Sequence, residues 1–151
     1  MNLSNDTVTL LNGQNLENKQ NIVMTLHSIT SSGYPHTCML SVGEIIAINP
    51  QTLRIALWPE TQTSLSLHEI GKANLVIVNN HKVTYLELDT KLLPKPEQET
   101  YVRTRFEAIV KSVKEDKAKY ADIISGITIA LHKPEDILNR WKVTLNELLN
   151  V

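Results

Sequence analysis

Apolar residues of this chain are grouped in seven short runs between positions 22 and 113, separated by turn-forming residues. Runs of this length, bounded by Gly, Pro, Asn and Ser, predict β-strands. The last run alternates most clearly, with Phe106 and Ala108 on one face and Arg105 and Glu107 on the other. A period of two is typical of a sheet with one buried face. The predicted strands are 22–30, 36–42, 44–48, 53–58, 73–78, 83–93 and 101–113.

Other segments carry a helical pattern. Residues 61–68 are rich in hydroxyl groups and are followed by a glycine, which predicts a short helix inserted between two strands. From Glu115 onward the apolar spacing becomes helical, with Gly126 as a stop and Pro134 at the start of a last helix. Residues 1–20 are polar and are predicted to be frayed or lightly helical.

These elements predict an α+β fold built on a small, six-stranded antiparallel β-barrel, with a short inserted helix and C-terminal helices. A chain of 151 residues has the length of one domain and can bury a core. We expect 1–151 to be a single domain with a lead-in (1–20), a barrel (22–113) and a helical tail (115–151).

Composition narrows the functional classes. The net charge is −1 and the basic residues are dispersed, so we expect no nucleic-acid partner. Cys38 is the only cysteine, so no intrachain disulfide can form, and a reducing cytoplasm is the expected location. No apolar stretch approaches the roughly twenty residues of a membrane span, so we expect no membrane association.

Motifs of metal sites and of common catalytic sites are not found in the sequence. The five histidines show no H-x-x-x-H spacing and no C-x-x-C occurs, so we expect no metal centre. There is no G-x-S-x-G, P-loop or G-x-G-x-x-G motif. No catalytic residue can be assigned from the sequence.

The corner between the strand at 53–58 and the following helix is the most informative segment. A helix that follows a buried strand presents unpaired N–H groups at its first turn, and Thr61, Thr63 and Ser64 cluster there. Such an end can receive an anion such as a phosphate. Alternatively, Thr61 is simply the N-cap of the helix. Trp58, at the strand end, either packs in the core or contacts a ligand.

The order of these elements resembles a known family. The hairpin Gly33-Tyr34-Pro35-His36 is followed by an apolar strand, then by Trp58-x-x-Thr61-x-Thr63 and the helix exit Gly71-Lys72-Ala73. Together they resemble the pyridoxamine 5'-phosphate oxidase-like proteins, the FMN-binding split barrels, over roughly residues 22–113.

The resemblance implies a homodimer with FMN in the groove between two split barrels. Trp58 and Thr61 would lie beside the flavin, and Thr63 and Ser64 would face its phosphate. The strand containing Thr37, Cys38, Leu40 and Ser41 would run along the isoalloxazine ring and offer backbone groups to it. The implied activity is a flavin-dependent oxidoreductase acting on a small, unidentified substrate.

One position departs from the family pattern. Relatives that bind FMN firmly place Arg or Lys next to the phosphate-binding hydroxyl, whereas this chain has Leu65. A cation from the dimer partner, Arg103 or Arg105, would compensate. The alternative is a split-barrel dimer that has lost FMN and serves as a ligand-binding or interaction module. A deazaflavin, haem or pyridoxal phosphate is also open as the planar ligand.

Overall fold

The computed structural model describes residues 1–151, and its main element is one seven-stranded antiparallel sheet. The strands are β1 (Val23–Ile29), β2 (Pro35–Ser41), β3 (Ile45–Asn49), β4 (Thr52–Leu57), β5 (Lys72–Asn79), β6 (Lys82–Leu92) and β7 (Thr104–Asp116). The helices are α1 (Asn5–Leu10), α2 (Leu16–Lys19), α3 (Gln62–Glu69) and α4 (Pro134–Leu149).

The strand order is β2-β1-β5-β6-β7-β4-β3, so β2 and β3, which follow each other in the chain, form the two opposite edges of the sheet. The curled sheet is a half-barrel of the split-barrel type. The predicted count of six strands is wrong, because all seven apolar runs pair within this one sheet. The positions of the runs themselves are confirmed.

The core lies on the concave face of the sheet. Buried residues alternate with more exposed ones along β5 and most of β6, as expected for one buried face, and Phe106, Leu26, Ile55 and Leu75 are fully buried. Helix α3 packs on β1, β2, β5 and β6, whereas α4 packs on β3 and β4. The two helices therefore cover different parts of the sheet. None of the helices has the length and apolar composition required to cross a bilayer.

The N-terminal lead-in is helical, one of the two predicted alternatives, and it is packed into the core rather than frayed. Helix α1 is capped by Ser4, whose side chain accepts from the Thr7 N–H, and Leu10 and Leu11 are buried. The Ala47 N–H of edge strand β3 donates to the Leu11 carbonyl at 2.8 Å. The lead-in thus protects one edge of the sheet from pairing with other chains.

The prediction of a helix from Glu115 to Gly126 is also wrong. Strand β7 continues to Asp116 because β6 is long enough to pair with it, and residues 117–133 then run without helix. This segment is held by backbone contacts, including a bridge between Thr128 and Ile22. Ile124, expected on a buried helical face, is 89% exposed. Only α4 of the predicted helical tail is present.

Helix α4 is seated by one close contact. The ring of Trp141 lies against Gly43, in the turn between β2 and β3, so closely that a Cβ built at Gly43 would be 1.9 Å from a ring atom. Trp141 is buried, so it anchors α4 on the core. The absence of a side chain at Gly43 therefore fixes how near α4 lies to the sheet.

Candidate functional site

A groove of about 540 Å³ opens at the N-terminal end of α3. Thr61, Ser64 and Leu65, three of the predicted cofactor-binding residues, line it together. The other lining residues are Glu60, Gln62, His68, Leu92 and Thr104. Leu65 and Leu92 are both about half exposed and form its apolar walls. We call this site the α3 groove.

The hydroxyl groups at this corner hold the helix end in place. The Thr61 side chain accepts from the Ser64 N–H at 3.2 Å, which is the N-cap that the sequence allowed as an alternative. The Ser64 hydroxyl donates to the Trp58 carbonyl at 2.8 Å. The N–H groups of Gln62 and Thr63 are left without an intrahelical acceptor, as at any helix start.

Thr63 lies on the other side of the first turn. It is buried, and its helix packs on β2, the strand that contains Cys38. Burial raises the pKa of the Cys38 thiol above its ordinary value, although the Thr63 hydroxyl acts in the opposite direction. The thiol is therefore the stable form, in agreement with an unreactive cysteine. Thr63 does not line the α3 groove.

The remaining predicted residues of β2 point in two directions. Leu40 and Ser41 are buried, whereas Thr37 is exposed on the outer face, where its hydroxyl contacts His27 Nδ1 at 3.0 Å. Strand β2 pairs only with β1, so one row of its backbone N–H and C=O groups has no strand partner. The side chains do not form one site with the α3 groove, but the free edge of the strand is available to a ligand.

The Trp58 ring is 55% exposed, so it is not a core residue. The guanidinium of Arg103 lies over it, 4.0 Å from the ring centroid, in a cation–π contact. Trp58 therefore makes two different contacts. Its carbonyl accepts from Ser64 at the start of α3, and its ring binds the guanidinium of Arg103. The sequence identified both residues as candidates but gave no reason to place them in contact.

Arg105 cannot serve as a cation for a partner's phosphate. It is 2% exposed, and its guanidinium pairs with Glu99 and, at 3.4 Å, with Glu147 on α4. The expectation that Arg105 lies on a polar, solvated face is therefore wrong. Lys72, the nearest cation that follows α3 in the chain, is paired with Asp89 at 2.7 Å. The α3 groove has no Arg or Lys among its lining residues.

A second, smaller crevice was missed by sequence reasoning. It has a volume of about 70 Å³ and brings Trp58 and Arg103 together with Arg140 and Thr144 of α4 and with Glu44. Gly43 and Trp141 complete its lining. Arg140 is far in sequence from Glu44, Trp58 and Arg103, and no motif links it to them. We call this site the arginine crevice.

Glu44 is fixed at the edge of the arginine crevice. Its carboxylate accepts from the Ser41 N–H at 3.0 Å and from the Ser41 hydroxyl at 2.8 Å. Burial raises the pKa of Glu44 above its ordinary value, while the bonds from Ser41 and the charges of Arg103 and Arg140 oppose that shift. Predicted site residue Ser41 thus acts by orienting a carboxylate.

Comparison with known proteins gives one relative along nearly the whole chain. The "uncharacterized protein YclD" of Bacillus subtilis is 42% identical over 146 residues, which cover 97% of this chain and 95% of YclD. No protein-family model matches the sequence.

Solved structures with little sequence identity share the fold. The "putative pyridoxamine 5'-phosphate oxidase" of Lactobacillus delbrueckii has a TM-score of 0.60 at 13% identity, over 75% of this chain and 93% of the other. An FMN-binding protein from Syntrophomonas wolfei has a TM-score of 0.54 at 16% identity, over 75% and 89%. The chain therefore belongs to the same family as YclD, and it has the fold of the pyridoxamine 5'-phosphate oxidase-like split barrels.

Proposed function

We propose that this protein is a homodimer that binds FMN at the α3 groove and acts as a flavin-dependent oxidoreductase on a small substrate. The observation that carries the proposal is the packing of α3 on edge strand β2. It brings an anion-accepting helix end next to a strand with free backbone groups. That is the arrangement the family resemblance implies for phosphate and ring.

The size and lining of the α3 groove support a flavin. Its volume of about 540 Å³ falls within the range of about 300–1,000 Å³ that is typical of cofactor sites. Leu65 and Leu92 supply apolar walls, while Thr61, Gln62 and the first-turn N–H groups supply polar contacts. FMN, when bound, would supply the redox chemistry, and these residues would hold and orient it.

A split barrel that has lost FMN is the second candidate function, and a specific observation favours it. The α3 groove contains a carboxylate, Glu60, and no Arg or Lys, while Thr61 and Ser64 already use their hydroxyls within the protein. A phosphate held only by neutral donors forgoes charge-assisted hydrogen bonds, which are about twice as strong. FMN would then bind weakly or not at all.

A flavin titration separates the two functions. FMN and riboflavin are added to flavin-free protein, and quenching of flavin fluorescence gives each dissociation constant. A flavoprotein binds FMN saturably and more tightly than riboflavin, because only FMN carries the phosphate. Absence of saturable quenching by either flavin would contradict the first function and support the second.

A further inference from the structure

The arginine crevice contains more positive charge than its neighbours balance. Neither Arg103 nor Arg140 forms an ion pair with a carboxylate in the structure. Arg103 makes one hydrogen bond, to the carbonyl of Val102, and Arg140 makes none. Glu44 is the one carboxylate that lines the crevice, and it accepts its hydrogen bonds from Ser41.

The two guanidinium groups are near enough to repel each other. Burial lowers the pKa of Arg103, and the positive charge of Arg140 lowers it further, while Glu44 acts in the opposite direction. The nearby Arg105 is balanced by Glu99 and Glu147 and adds little free charge. Two like charges that face one space without their own partners are stabilised by a bound anion.

The segments that form the crevice are held in place by packed groups. Arg140 is adjacent to Trp141, whose ring is seated on Gly43, so the position of α4 is fixed there. Arg103 is held over the Trp58 ring, and Glu44 is oriented by Ser41. Arg is well suited to such a site, because its planar fork binds phosphate or carboxylate with two parallel hydrogen bonds.

We propose that the arginine crevice binds the anionic group, a phosphate or a carboxylate, of a small molecule other than the flavin. Its volume of about 70 Å³ admits such a group and excludes a whole flavin. The crevice adjoins the α3 groove, since Trp58 lines the former and its carbonyl accepts from Ser64, which lines the latter. An anion held there directs the rest of the molecule toward the groove.

The assignment of this molecule as the substrate of the oxidoreductase rests on the proposed function, but its binding to the crevice does not. We therefore test binding first, on flavin-free protein, with inorganic phosphate as the probe at constant ionic strength. The chain has two tryptophans, Trp58 and Trp141, and both line the crevice, so intrinsic fluorescence reports on it directly. Wild-type protein is expected to show a saturable change in fluorescence.

Variants on α4 make this measurement specific. Arg140→Gln should weaken phosphate binding by about tenfold or more, the usual effect of losing a hydrogen bond between charged groups. Arg103→Gln provides a second, independent variant. Lys142→Ala is the matched control, because it removes one charge from the same helix at an exposed position outside the crevice. A response without saturation, or equal weakening in Lys142→Ala, would overturn the proposal.

A second comparison identifies the source of the anion. If the crevice binds a molecule other than the flavin, Arg140→Gln leaves the affinities for FMN and riboflavin unchanged, and phosphate binds equally well to FMN-loaded protein. If phosphate displaces FMN, or Arg140→Gln weakens FMN but not riboflavin, the crevice holds the cofactor's own phosphate and the proposal is wrong. If no flavin binds, the proposed function fails, while the phosphate titration still shows whether the arginine crevice binds an anion.

Discussion

The side chains at the start of α3 show what single residues contribute to this site. The sequence identified Thr61 and Ser64 from their hydroxyl groups and their position after a strand. In the structure these hydroxyls cap the helix and bind the Trp58 carbonyl. The same residue types suit this capping role as well as they suit phosphate binding. Residue type and spacing gave the location of the corner. They could not give the direction in which each hydroxyl points, because that depends on how α3 packs on the sheet.

Leu65 is the residue at which the family alignment can be tested. Of the neighbouring apolar residues Leu65, Leu67 and Ile70, only Leu67 is buried, so the three do not form one core stripe. Leu65 is 49% exposed and lines the α3 groove. We expect Leu65→Lys to tighten FMN binding with little change in melting temperature, since the ammonium lies beside the phosphate. The gain should shrink at high salt.

Ile70→Lys is the matched control for this substitution. It adds the same charge to the C-terminal end of the same helix, at a partly exposed position that does not line the groove. FMN titrations and thermal melts are measured on both variants. An equal effect of both lysines on FMN affinity, or a lower melting temperature without tighter binding in Leu65→Lys, would contradict the alignment.

Gly43 allows the closest contact between α4 and the sheet. Gly43→Ala should lower the free energy of unfolding by about 1–3 kcal/mol or more, because the added methyl group overlaps the Trp141 ring. Urea unfolding measures the loss. In the double variant Gly43→Ala/Trp141→Leu the overlap is relieved, so the two losses should not add. Additive losses would show that the contact does not limit packing.

At the scale of elements, the connector between β6 and β7 shows where alternation misleads. Arg105 alternates with apolar residues along β7, and this pattern predicts that it faces solvent. It is buried because the connector, through Glu99, and α4, through Glu147, both fold over it. These partners come from separate parts of the chain. Periodicity within one strand contains no information about them.

The Arg105 network makes stability depend on pH. Burial alone would raise the pKa of Glu99, but the hydrogen bond and charge of Arg105 outweigh burial, and the pKa lies below its ordinary value of 4.5. A carboxyl whose pKa is lowered by folding stabilises the protein above its unfolded pKa, and this contribution is lost as pH falls.

Glu99→Gln should therefore cost about 1–3 kcal/mol at pH 7, and the difference from wild type should shrink as the pH falls below about 4.5. Urea unfolding at several pH values measures it. Glu97→Gln, at an exposed position in the same connector, is the control and should change little. A constant difference between wild type and Glu99→Gln across this range would show that the Glu99 charge does not stabilise the fold.

At the scale of the whole molecule, most of the fold was predictable. The seven apolar runs separated by turn residues are seven strands in the structure. They could be recognised because a sheet with one buried face requires apolar residues at every second position. The wrong predictions concern segments whose conformation depends on contacts with residues far away in the sequence. Residues 117–133 pair with the segment just before β1 instead of forming a helix, and Leu10 and Leu11 of the polar lead-in are buried. The arginine crevice needs four separate segments and could not be predicted.

The exposed face of the same sheet supports the proposed homodimer. Its outer face carries exposed apolar residues, including Ile29 on β1 and Met39 on β2, that the helices of one chain do not cover. We therefore expect an obligate homodimer with an interface above about 2,000 Å² in total. The FMN site, if the family arrangement holds, is completed by the second chain.

Sedimentation velocity of FMN-loaded protein, recorded at both protein and flavin wavelengths, tests the central claim most directly. The account predicts one boundary at twice the chain mass of 17.0 kDa, with flavin absorbance in the same boundary at one FMN per chain. A boundary at the mass of one chain, or a dimer boundary from which the flavin absorbance is missing, would contradict it.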